Sequence, residues 1–111
     1  MKIHTLLYPV DRLEPAIAFF RDTLGLPLKF RDGERYAALD AGSLTLGLAA
    51  GEERIVDRPA LALRVDDLED ALAGLLAAGA SLLRPAEEGP HETRAVLQAP
   101  GGHPLVLSAK R

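Results

Sequence analysis

Val10-Asp-Arg-Leu-Glu-Pro-Ala-Ile-Ala18 returns fifty-five positions later as Val65-Asp-Asp-Leu-Glu-Asp-Ala-Leu-Ala73, with six of nine positions identical and a seventh an Ile/Leu exchange. Such self-similarity marks an internal duplication, in which each copy is too small to bury a core alone. Both copies carry the same syntax around the repeat. Ile3 to Val10 has the β-branched and aromatic content of a strand, and Asp11 with Glu14 reads as a capping pair that opens a helix. Leu13, Ala16, Ile17, Phe20 and Leu24 then fall on one helical stripe, with Pro15 in the tolerant first turn and Gly25 as the stop. In the second copy Pro59 to Val65 reads as a strand, and Asp66 with Glu69 as the cap. Leu68, Leu72, Leu75 and Leu76 form the stripe, and Gly79 ends it.

Three short strands follow each helix. In the first copy they are Leu28–Arg31, Tyr36–Asp40 and Leu44–Leu48, with turns at Asp32-Gly33 and Ala41-Gly42. In the second they are Ser81–Arg84, Thr93–Gln98 and Pro104–Ser108, the last hairpin turning at Pro100-Gly101-Gly102. The pattern predicts one α+β domain over 1–111: repeat one at 1–50, a charged linker at 51–58, and repeat two at 59–111, each repeat βαβββ. Pro85–Glu92 reads as an exposed loop.

The 111 residues are 48% apolar and 26% charged with a net charge of −3, which gives no general attraction for polyanions. Nucleic acid and membrane are therefore not expected partners. The sequence has no run near the ~20 apolar residues that span a bilayer and no signal-peptide pattern, so a cytoplasmic location is expected. Zero cysteines rule out disulfides, thiolate metal sites and a cysteine nucleophile. Gly101-Gly102 suits a turn better than a phosphate cradle, and neither a catalytic triad nor a zinc signature is present.

The element order, with IAFFRDTLGLPLKF after the first strand and QAPGGHPLVL at the end, resembles the vicinal oxygen chelate superfamily of glyoxalase I, extradiol dioxygenases, fosfomycin-resistance enzymes and bleomycin-resistance proteins. The resemblance covers essentially the whole chain. It implies a cupped, eight-stranded open barrel with helices outside and the active site inside the cup. Metal-dependent members place one His or Glu on each of four strands. Carried onto this chain, those four positions are Thr5, Thr45 or Gly47, Ala60 and Val106, none of which offers a strong donor. The resemblance also implies a homodimer; the sequence itself carries no oligomer signal.

Alternation along the strands assigns the cup-facing residues. Leu61, Leu63 and Val65 take the helix side, leaving Ala60, Ala62 and Arg64 inward. Thr45 and Gly47 face inward on their strand, Pro104, Val106 and Ser108 on the last, and Thr5, Leu7 and Pro9 on the first. Arg64 and Arg94 are candidates to clamp an anionic group, with Gln98, Tyr36 and Asp40 as polar contacts near the rim. Small inward residues predict a mainly apolar cavity. His4 is one residue out of register for a ligand position, and a bulge near Pro9 would bring it in. His103 reads as a turn residue and His91 as a loop residue. Tyr8, Phe19 and Phe20 read as core.

The leading expectation is a protein without metal or other cofactor that binds a small amphipathic or anionic molecule, as a bleomycin-resistance protein does, and acts by binding alone. Only five aromatic residues and no Trp are available to stack a planar antibiotic. The alternative is a metal-dependent glyoxalase-like lyase or dioxygenase that recruits His4 and loop carboxylates. A third option is a structural or regulatory module with a plugged cup.

Overall fold

The computed structural model describes residues 1–110. The chain forms two compact units, His4–Pro59 and the residues from Ala60 onward, the latter grouped with Met1–Ile3. Each is a βαβββ unit, as the duplication requires.

In the first unit, β1 (Lys2–Pro9) leads to helix α1 (Leu13–Ile17), a π-helical segment (Ala18–Thr23), β2 (Leu28–Asp32), β3 (Tyr36–Asp40) and β4 (Thr45–Ala49). Its strands are ordered β2-β3-β4-β1, antiparallel except for the parallel β1–β4 pair. Leu13 and Ile17 bury one face of the helix against Ala37, Leu39, Leu46, Leu48 and Ala50, and Leu6, Tyr8, Val10 and Phe20 pack around them. Each fully buried aliphatic side chain contributes roughly 1.5–3 kcal/mol.

The second unit repeats this with β5 (Ala60–Arg64), α2 (Leu68–Ala77), β6 (Ser81–Glu88), β7 (Glu92–Gln98) and β8 (Pro104–Lys110), ordered β5-β8-β7-β6. Here β5 and β8 form the parallel pair. Leu68, Leu97, Leu107 and Ala109 make the core, with Leu63, Val65, Leu72 and Leu75 packed on it. Leu61 stands outside this cluster and is exposed.

Several sequence expectations change. Asp11 does not cap: the residue before α1 is Arg12, which makes no side-chain cap, and Asp11 pairs instead with Arg54 at 2.6 Å. In the second unit the cap is Asp67, not Asp66, and its side chain accepts a hydrogen bond from the Asp70 backbone N–H at 3.0 Å. Secondly, the first helix turns π after Ile17, with Leu24 N–H reaching the Phe19 carbonyl. The wider π turn rotates later residues off the α-helical stripe, so Leu24 is exposed rather than buried. Thirdly, Pro85–Glu88 continues β6 rather than opening a loop. Pro85 sits on an edge strand within the register shift between Arg84 and Glu87, where its missing N–H costs no regular ladder bond. Finally, the linker contains a 3-10 turn (Gly51–Glu53) followed by buried Ile55 and Val56, two apolar residues too few to show periodicity.

Candidate functional site

The side chains expected to carry function lie on the face of each sheet half opposite its helix. In the first unit Leu6, Tyr8 and Val10 pack toward α1, as do Ala37, Leu39, Leu46 and Leu48. Alternation therefore leaves Thr5, Leu7, Thr45 and Gly47 on the other face, as the sequence predicts, and puts Tyr36, expected near the rim, with them. A Cβ at Gly47 would overlap the Tyr36 hydroxyl and lie 3.0 Å from Thr5 Cγ2, so these three residues meet on that face. Gly47 is small because Tyr36 lies across it.

Two contributors escaped the sequence reading. The β2–β3 register steps from Leu28↔Leu39 to Phe30↔Ala38, so Lys29 is an extra residue in a bulge. The bulge turns Phe30 to the helix-free face, where its ring lies 5.9 Å from that of Tyr36. It also lets Lys29 Nζ donate to Thr45 Oγ1 at 3.0 Å. The sequence offered no signal for this, because a bulge leaves no period of its own.

In the second unit Leu63, Val65, Leu97 and Leu107 face α2. Ala60, Ala62, Arg64, Arg94, Gln98, Val106 and Ser108 accordingly share the helix-free face. Arg64 and Arg94 lie on strands either side of β8, and both pair in register with Ser108. Arg64 is half exposed and has Glu92 at 3.8 Å. The Arg94 side chain is half-buried beside Gly89, and the Gln98 amide packs over Gly102.

The pairing registers show the duplication in three dimensions. Leu7 opposes Gly47 as Ala62 opposes Val106, and Pro9 opposes Ala49 as Arg64 opposes Ser108. It follows that Tyr36, opposite Ala49, holds the place that Arg94, opposite Ser108, holds in the second copy. Many of the small inward residues are shielded: Thr5, Ala60, Ala62, Val106 and Ser108 are all buried. The sequence predicts open space beside them, whereas an open pocket of about 490 Å³ lies on the other side of the first unit, lined by Tyr8, Val10, Arg12, Pro15, Phe19 and Arg54 among others. Phe19 is not core as expected but 53% exposed.

Residues 2–107 match the model of the Glyoxalase/Bleomycin resistance protein/Dioxygenase superfamily. The chain belongs to that superfamily. An uncharacterized protein of Mycolicibacterium smegmatis is 32% identical over 107 residues, covering 96% of this chain and 91% of that one. Among solved structures, an NAD-dependent benzaldehyde dehydrogenase from Legionella pneumophila superposes with a TM-score of 0.82 at 18% identity, over 96% of this chain and 98% of that one. Methylmalonyl-CoA epimerase from Mycobacterium tuberculosis gives 0.71 at 22%, over 98% and 87%. At these identities the structural likeness establishes the glyoxalase-type α+β fold.

Some members of the superfamily hold a metal, and the residues at the corresponding positions here do not fit one. Gly47, Ala60 and Val106 have no donor side chain, and Thr5 Oγ1 is hydrogen-bonded to His4 Nδ1 at 2.6 Å. Thr45 Oγ1 accepts from the Lys29 ammonium, whose charge opposes a divalent cation at that corner. The unbroken register from Thr5 to Pro9 contains no bulge, so His4 keeps the parity of Leu6 and Tyr8. Among the described residues no group of three or more His, Asp or Glu is placed to hold an ion. His91 and His103 are exposed, and no helix is long and apolar enough to cross a membrane.

Proposed function

We propose that the protein binds a small amphipathic molecule bearing an anionic group, and acts by binding without a metal. The observation that carries this is the placement of Arg64 and Arg94 on one face, both in register with Ser108. Two arginines on the strands either side of Ser108 suit a carboxylate or phosphate, which a guanidinium can engage through paired N–H donors. Ala62, Val96 and Val106 make the same face apolar but are already buried, so the rest of the molecule would reach them only by displacing what covers them. This is sequestration in the manner of a bleomycin-resistance protein, with a ligand less dependent on stacking than a planar antibiotic.

A thermal-shift screen tests it, using divalent metals, a chelator and a panel of small carboxylates. A carboxylate should raise the midpoint by several degrees in wild type and lose that effect in Arg64→Gln/Arg94→Gln, while metals and chelator do nothing. A shift of similar size with metal alone would replace this reading with that of a metal-dependent lyase or dioxygenase. Light scattering after size exclusion tests the homodimer that accompanies the proposal.

A further inference from the structure

The residues that line the pocket of the first unit differ in kind from their counterparts in the second copy. At the fifty-five-residue offset the pocket-lining residues Tyr8, Arg12, Pro15 and Phe19 correspond to Leu63, Asp67, Asp70 and Gly74. In the second copy Asp67 caps α2 through the Asp70 N–H. The first copy has lost both halves of that cap: Arg12 has no acceptor, and Pro15 has no N–H to give. Where the second copy has a glycine, the first presents the Phe19 ring to solvent, on a π-helical segment of a kind found often at functional sites.

A chain that breaks local rules in one of two equivalent places commonly does so for function. Here the capping pair Asp67 and Asp70 is matched in the first copy by a guanidinium and an imino ring, and Gly74 by an exposed phenyl ring, all three lining one pocket. The rings are organised edge to face: Tyr8 to Phe20 at 5.3 Å and 81°, Phe19 to Phe20 at 5.2 Å and 87°. That leaves a ring face available to a planar partner at ordinary stacking distance. The charged lining is two arginines, Arg12 and Arg54, against one carboxylate, Asp11, which Arg54 already holds at 2.6 Å. Arg12 is exposed and in no ion pair among the described residues. The volume of about 490 Å³ lies in the range of small-molecule sites.

We infer that this pocket is a second ligand site, taking a planar aromatic anion whose ring stacks on Phe19 and whose charge meets Arg12. It shares no residue with the Arg64 and Arg94 face, so either site can fail alone.

The test is a titration of the 15N-labelled full chain with 2-naphthoate, and with 2-naphthol as its uncharged analogue, followed by amide chemical shifts. Saturable shifts should concentrate at residues 8–20 and 54, with 2-naphthol about tenfold weaker. Arg12→Asp, which writes in the second copy's residue, should weaken naphthoate about tenfold and leave 2-naphthol unchanged. Phe19→Ala should weaken both ligands. Non-saturating shifts, shifts centred on β5 and β8, or undiminished naphthoate affinity in Arg12→Asp would each overturn the inference. Arg12→Asp alone decides it if Phe19→Ala does not fold.

Discussion

Two copies of one sequence unit, folded to the same element order and to matching registers in their parallel strand pairs and last hairpins, differ at the start of their helices. In the second copy Asp67 accepts the Asp70 N–H and ten residues of regular α-helix follow. In the first, Arg12 and Pro15 replace that pair, the α-helix lasts five residues, and π geometry takes over. The cores beneath them remain alike, with Leu48 and Leu107 both fully buried at matching positions. Duplication thus preserved what packs and released what faces outward. The helix-free faces diverged too: Tyr36 over Gly47 in one copy, Arg94 with Val106 in the other.

Core truncation should have the largest effect and should not tell the copies apart. Leu48→Ala and Leu107→Ala are each expected to cost about 2–5 kcal/mol in chemical denaturation. A difference well outside that spread would mean the two cores are not equivalent. Next, Gly47→Ala should cost about 1–3 kcal/mol because its methyl group displaces Tyr36, and adding Tyr36→Phe should recover part of the loss. A double mutant no better than the single would remove the overlap as the cause. Below that, Asp67→Ala should cost about 1 kcal/mol as a lost cap, whereas Arg12→Ala should stay within about 0.5 kcal/mol. Equal losses would refute the account of the helix starts.

The smallest effect concerns Glu14, whose sequence role as a capping partner is replaced by an ion pair with Arg31 at 2.7 Å. The hydrogen bond from Arg31, and then its charge, hold the Glu14 carboxyl below its ordinary value. Its contribution is therefore present above the unfolded-state value and lost as pH falls through the lowered folded one. Glu14→Gln should melt slightly below wild type at neutral pH, and the two curves should converge once acid has protonated the Glu14 carboxylate. A gap that persists in acid would point to packing instead.

The α+β class, the duplication and the residues opposite each helix were readable because each rests on a period. Leucines alternate with Thr45, Gly47, Ala62 and Val106, and a period of two survives translation into structure. What escaped detection breaks a period. The β2 bulge redirects Lys29 and Phe30, the π segment throws Leu24 and Phe19 outward, and the strand through Pro85 crosses two register shifts. The cap was misplaced by one residue because Asp66 and Asp67 are adjacent acceptors, and backbone geometry alone chooses between them. Arg64 and Arg94 are readable in the sequence as a candidate clamp; their common register with Ser108 required the fold.

Strand β6 has one further consequence. All eight of its residues are exposed, and it forms an outer border of its sheet. Such a border ordinarily invites stray chains to add on and seed fibrils. Pro85 interrupts the donor row, the shifted registers kink it, and Arg84, Glu87 and Glu88 place charge of both signs along it. An incoming segment meets no continuous template, so crowded solutions of this protein should stay clear where a straight, uncharged border would let them gel.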